Sequence, residues 1–101
     1  MIKIWVDAII DAPPGWTRIY STTGAINLIK LYGQNLIECI SLNHNPHQYY
    51  YQGGDYINIL FWIEKNYGKN WTIPIHLHTT NPVEICNMRN IIKRNHWREA
   101  R

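Results

Sequence analysis

The sequence predicts an α/β fold, a small and mostly parallel sheet packed between helices. Short apolar strands alternate with amphipathic helices in the order β-β-α-β-α-β-α. The stretch 36–42 is almost continuously apolar, as a central strand buried on both faces would be. A chain of 101 residues supplies one core and not two, so a single domain spanning 1–101 is expected.

Each element carries its own signal. In IKIWVD, Ile2, Ile4 and Val6 alternate onto one face, which reads as a strand over 2–7. Asp11-Ala12-Pro13-Pro14-Gly15 is a loop, and Trp16 to Tyr20 a second short strand. Ser21-Thr22-Thr23 offers caps for a helix through about Tyr32, with Ala25, Leu28, Ile29 and Tyr32 on one stripe and Gly33 as the stop. A second helix is expected from about Asp55 to Tyr67, aligned on Tyr56, Leu60, Ile63 and Tyr67. Thr72 to His78 reads as the last strand, with Pro74, His76 and His78 opposite Ile73, Ile75 and Leu77. Pro74 lacks an N–H, which suggests a position near a sheet edge. Asn81-Pro82-Val83-Glu84 combines a cap, a proline in the first turn and an acid, and starts a helix running to roughly Trp97.

Composition narrows the function classes. A 46% hydrophobic content with seven Tyr and five Trp excludes a disordered chain. No apolar run approaches the roughly 18 residues of a membrane span, and the N-terminus lacks a secretory layout, so no membrane partner and a cytoplasmic location are expected. Cys39 and Cys86 lie in apolar patterns with no CxxC framework and read as buried, reduced thiols. Net charge is +3, with Arg89, Lys93, Arg94, Arg98 and Arg101 near the end. Cations late in a helix complement its dipole, and the excess is too small to indicate a duplex nucleic-acid partner.

In such folds function gathers where the carboxyl ends of the strands open into loops. Three loops meet there and supply Asp7, Asn43-His44-Asn45 and His78-Thr79-Thr80-Asn81. Singly, an Asp at a strand end caps backbone, and Asn and His are ordinary loop residues. Their convergence from three segments marks a candidate site. The helix start at Asn81 adds backbone N–H groups and a positive dipole end, which suit a phosphate. Trp16 and Tyr49-Tyr50-Tyr51 are candidates for covering a base, and equally for packing. His47 and His76 read as structural histidines. Nothing in the spacing of Asp7, His44 and His78 is diagnostic of a metal site.

IWVDA, PPGW at 13–16, ISLNH at 40–44, FWIE at 61–64 and HTTNPV with Asn87-Met88 together resemble the cyclic-phosphate processing receiver-like domain, a relative of the response-regulator receiver. The resemblance covers about residues 2–92 and implies a receiver-like (flavodoxin-like) three-layer sandwich. It also implies a cyclic phosphate or cyclic nucleotide as ligand. In the family pattern the first strand ends in two acids and the central strand in Asp-His-Asp; here those positions hold Asp7-Ala8 and Asn43-His44-Asn45. Asn58 stands where the pattern has a further Asp, and Glu84-Ile85 where it has Gly-Arg, while Asp7, His44, His78, Asn81 and Asn87 are retained. Asn keeps the shape of Asp but deletes a charge, a proton acceptor and a hard metal ligand. Phosphorelay through Asn43 is therefore excluded, and no metal or other cofactor is expected.

Three functional readings follow. In the first, the domain binds a nucleotide-derived phosphate ligand, cyclic or linear, without turning it over, sequestering an immune signal as a phage sponge would. The ligand set is Asp7, Trp16, Arg18, Asn43, His44, Asn45, His78, Thr79, Thr80, Asn81, the N–H groups of Val83 and Glu84, and Asn87. In the second, His44 and His78 act as the acid–base pair of a metal-independent cyclic phosphodiesterase, flanking one phosphate. In the third, the domain is an interaction module with no small ligand. A homo-oligomer sharing a ligand between copies is compatible with the first two.

Overall fold

The computed structural model describes all 101 residues, Met1–Arg101. The chain forms β1 (Ile2–Val6), β2 (Thr17–Ile19), α1 (Thr22–Tyr32), β3 (Ile37–Leu42), α2 (Ile57–Asn66), β4 (Ile75–Leu77), α3 (Pro82–Arg94) and β5 (Glu99–Ala100). The strands make one sheet in the order β2-β1-β3-β4-β5, every pair parallel. This is the receiver-like α/β topology expected from the sequence.

The strand register separates two faces of the sheet. Ile4, Ile40 and Ile75 are cross-strand neighbours, as are Val6, Leu42 and Leu77. On that face they pack with Ala25 and Ile29 of α1, Ile59, Leu60 and Ile63 of α2, and Met88, Ile91 and Ile92 of α3. All three helices therefore share one core on one face, so the sheet is not packed between helices as the sequence led us to expect. Chain direction explains the layering: the crossovers from β2 to β3, β3 to β4 and β4 to β5 all step the same way, and right-handed crossovers then fall on the same side. Only β1 to β2 steps the other way, and that connection carries no helix. The outer layer on the second face is a loop, residues 7–16, which returns as Trp16 set edge-on to Trp5 with ring centroids 5.8 Å apart.

Caps fall where the sequence placed them. Ser21 Oγ accepts from Gly24 N, and Gly33, at a φ of 67°, closes α1 through Ile29 O. The long loop before α2 docks on the start of α1: Thr23 N donates to Gln52 O and Thr22 Oγ1 to Gly54 O. Tyr56 is fully buried, with its hydroxyl on Tyr20 O.

Three expectations need correction. β4 is not at the edge, because the two-residue β5 pairs outside it, with Ile75 N donating to Arg98 O. Pro74 is accommodated by preceding the strand, and its carbonyl accepts from Ile40 N. The last helix ends at Arg94, since Asn95 caps it and His96 turns at a φ of 59°. Cys86 is exposed on the outer side of α3, and Cys39 is half-buried. The late cations are largely paired, Arg89 in a fork on Glu99 and Arg94 in a fork on Glu64.

Candidate functional site

The carboxyl ends of β1, β3 and β4 bring Asp7, Asn43, His44, His78 and Thr79 together. Asp7 follows β1 and is fully buried. Its Oδ1 accepts from Ile9 N at 2.8 Å and Ile10 N at 3.0 Å, the turn that starts the 7–16 loop. Its Oδ2 accepts from Asn43 Nδ2 and His78 Nε2, both at 2.9 Å. Burial alone would push this carboxyl up, but the bonds from Ile10, Ile9, Asn43 and His78 win and hold it below the usual value. Asp7 is thus a charged group with every lone-pair direction filled.

Because a carboxylate only accepts, the proton on His78 sits on Nε2, and Nδ1 is an acceptor. Ser41 Oγ lies 2.7 Å from His78 Nδ1 and 2.7 Å from His76 Nδ1. The hydroxyl therefore donates to His78 and accepts from Nδ1–H of His76. The result is a directed chain, His76 to Ser41 to His78 to Asp7, running across the sheet face that lacks helices. Trp5 lies flat on the His78 ring, 3.7 Å between centroids and 6° from parallel, with its Nε1 on Ile10 O. Burial lowers the His78 pKa further than the Asp7 hydrogen bond raises it, so His78 is neutral at neutral pH.

The orientation of Asn43 follows from the same logic. With Nδ2 on Asp7, its Oδ1 accepts from His44 N at 2.8 Å and faces His44 Nδ1 at 3.0 Å. His44 Nδ1 is also 2.7 Å from Thr79 Oγ1, which accepts from Asn81 N. The Asn43 amide oxygen can only accept, which favours the proton on Nδ1, with the Thr79 hydroxyl as a second partner, and Nε2 has no partner within the protein. His44 is the rim imidazole that keeps a nitrogen for something else.

The remaining candidates occupy the border. Asn81 Oδ1 already accepts from Val83 N and Glu84 N, so these two amides are satisfied by their own cap. Asn45 Oδ1 takes His47 N, and Thr80 and Asn87 are exposed. Arg18 donates from Nε to the Asp7 carbonyl and pairs with Asp11, and its guanidinium lies 4.5 Å from the Tyr20 ring centre. Tyr20 meets Tyr49, while Tyr50 and Tyr51 stay exposed. Trp16 packs against Trp5 beneath Lys3 and is half-buried. Sequence reasoning passed over Ser41 and Trp5. Their signals were present: a lone hydroxyl inside an apolar strand, and an aromatic two residues before Asp7 on the same face.

The profile of the cyclic-phosphate processing receiver domain matches residues 2–94. The chain belongs to that family. No curated protein and no solved structure matches it significantly.

Among the converging side chains at this rim, Asp7 is the one carboxylate. A hard divalent cation needs carboxylate or carbonyl oxygens with free lone pairs. Asp7 offers none, and no group of three His, Cys, Asp or Glu side chains is placed to hold a metal ion. Asn43 and Asn45 supply amides where a carboxylate would be required. The residues present do not fit such an ion.

Proposed function

We propose that this domain binds a nucleotide-derived ligand carrying a cyclic phosphate at the carboxyl ends of β1, β3 and β4, and holds it without cleaving it. The observation that carries the reading is His44. Asn43 and Thr79 fix its ring through Nδ1, and its Nε2 has no partner within the protein. The family supports a role connected with cyclic phosphate. Tyr50 and Tyr51, exposed in the loop that follows Asn43-His44-Asn45, are the candidate surfaces for a base.

A two-histidine phosphodiesterase draws less support. Cleavage of that kind needs a second ring nitrogen free to face the phosphate. Both nitrogens of His78 are bonded inside the protein, and its side chain is 8% exposed. Retention without turnover accords with sequestration of a signalling nucleotide inside the cell, the domain acting as one unit. The test is to incubate the purified protein with a panel of cyclic mono-, di- and oligonucleotides, heat it and analyse what is released. Recovery of intact ligand is the expected result. Linear product with turnover would establish the enzyme instead, and a silent panel would count against both.

A further inference from the structure

The Asp7 carboxylate is buried and charged, yet no cation touches it. Burying an uncompensated charge is costly, so such a group is normally paired with a cation or neutralised by protonation. Here the compensation comes wholly from neutral donors: Ile9 N, Ile10 N, Asn43 Nδ2 and His78 Nε2. The nearby guanidinium of Arg18 serves the Asp7 backbone carbonyl and Asp11, not this carboxylate.

Among the four donors, Asn43 is the one whose replacement changes the charge without changing the shape. The two backbone amides belong to the turn, and His78 is clamped by Trp5 and Ser41. Asn43 is held on both sides, its Nδ2 on Asp7 and its Oδ1 on His44 N. We propose that the Asn43 carboxamide takes the place of a divalent cation here, donating a hydrogen bond to the ionised Asp7 and making the rim indifferent to divalent metal, so that this one residue decides whether the site takes an ion.

Chemistry gives the claim its direction. An Asn43→Asp change puts a second carboxylate oxygen at the 2.9 Å contact now made by Nδ2. Two carboxylates that close cannot both ionise without a cation between them; in its absence one must take up a proton, which costs stability at neutral pH. The variant should therefore acquire a need for a divalent ion that the natural chain lacks. The claim concerns the free protein and its test uses no nucleotide, so it stands or falls separately from the proposed ligand.

The experiment compares wild type and N43D in EDTA and in a titration of Mn²⁺ at neutral pH. Thermal unfolding is followed together with Mn²⁺-induced broadening of the imidazole proton resonances. Wild type should unfold at the same midpoint in both conditions, with His78 and His44 unbroadened. N43D should lose about 5–10 °C in EDTA, the shift of one to two kcal/mol in a domain this size, and recover it saturably with Mn²⁺ while His78 broadens. A saturable Mn²⁺ shift or His78 broadening in the wild type would overturn the proposal, as would a folded N43D that ignores the ion. Should N43D not fold, the wild-type broadening decides alone.

Discussion

The indole of Trp5 and the imidazole of His78 form a parallel stack, 3.7 Å between ring centres. The contact joins β1 to the end of β4 across β3, and it presses His78 against Asp7 and Ser41. Replacing Trp5 with Ala should cost about 3–5 kcal/mol of stability, the range for emptying a large aromatic site. It should also raise the His78 pKa, because water would then reach the ring. Trp5→Phe should keep most of the stack and lose only the bond to Ile10 O, about 1 kcal/mol. Urea unfolding with an NMR titration of His78 measures both effects.

Stability should depend on pH in one direction on the acid side. The folded His78 pKa is below its ordinary 6.5, so between the two values the unfolded chain binds a proton that the folded chain refuses. This contribution is complete above about pH 6.5 and is lost as pH falls below it. Asp7 adds a second decline below 3.8, since its folded pKa is lowered too, and Glu64 and Glu99, lowered by Arg94 and Arg89, add to that limb. A series of denaturant titrations should show the upper limb flatten in His78→Gln. An upper limb unchanged by that substitution would contradict the neutral His78 drawn here.

Ser41 is fully buried between two imidazole nitrogens. Ser41→Ala should cost about 1–3 kcal/mol, because it strands an acceptor on His78 and a donor on His76. Nitrogen chemical shifts of the two rings provide a finer readout. In the wild type His78 should carry its proton on Nε2 and His76 on Nδ1, and only the variant should show mixed tautomers.

His44 and His78 should separate function from stability. His44→Ala should weaken retention of a captured cyclic nucleotide at least tenfold while moving stability by about 1 kcal/mol or less, since the ring sits at the partly exposed rim. His78→Ala should instead destabilise the fold by about 2–3 kcal/mol, because it leaves a buried carboxylate short of a donor. Equilibrium dialysis and urea titration on the same samples distinguish the two.

The tyrosine loop depends on Gly53. At a φ of +103° an added Cβ would stand 2.8 Å from Thr23 Oγ1 and 2.9 Å from Thr22 Cβ. Gly53→Ala should therefore cost about 2 kcal/mol or more and loosen the 47–56 loop. Gly15→Ala, with φ +87° but nothing within 4 Å, should cost about 1 kcal/mol. Calorimetric midpoints of the two variants test the contrast.

Much of this arrangement was legible in the residues. Alternation in IKIWVD, the nearly continuous apolar run 36–42 and the caps at Ser21 and Asn81 each report a local preference, and each element formed. β5 was not legible, because two residues carry no periodicity. Its place is set by Trp97 Nε1 on Gly68 O and by the Arg89–Glu99 fork, contacts between distant segments. The one-sided placement of the helices depends on strand order in space, which no local pattern encodes. At the rim, Asp7, Asn43, His44 and His78 could be collected from strand ends. That His78 is locked and His44 is free follows only from Ser41, Trp5 and Thr79, whose partners lie 35 or more residues away or across strands.

A sheet dressed on one side only has two interiors, one of hydrocarbon and one of imidazole, hydroxyl and carboxylate. Adjacent residues belong to opposite ones: Val6 and Asp7, Ile40 and Ser41, Ile75 and His76. Sliding β3 or β4 by a single position would push Ser41 or His76 into oil and strand an isoleucine among hydrogen bonds. Misalignment would thus be penalised from both sides at once. The polar chain that prepares the rim is also what keeps the short β4 strand, three residues long, from settling in the wrong place.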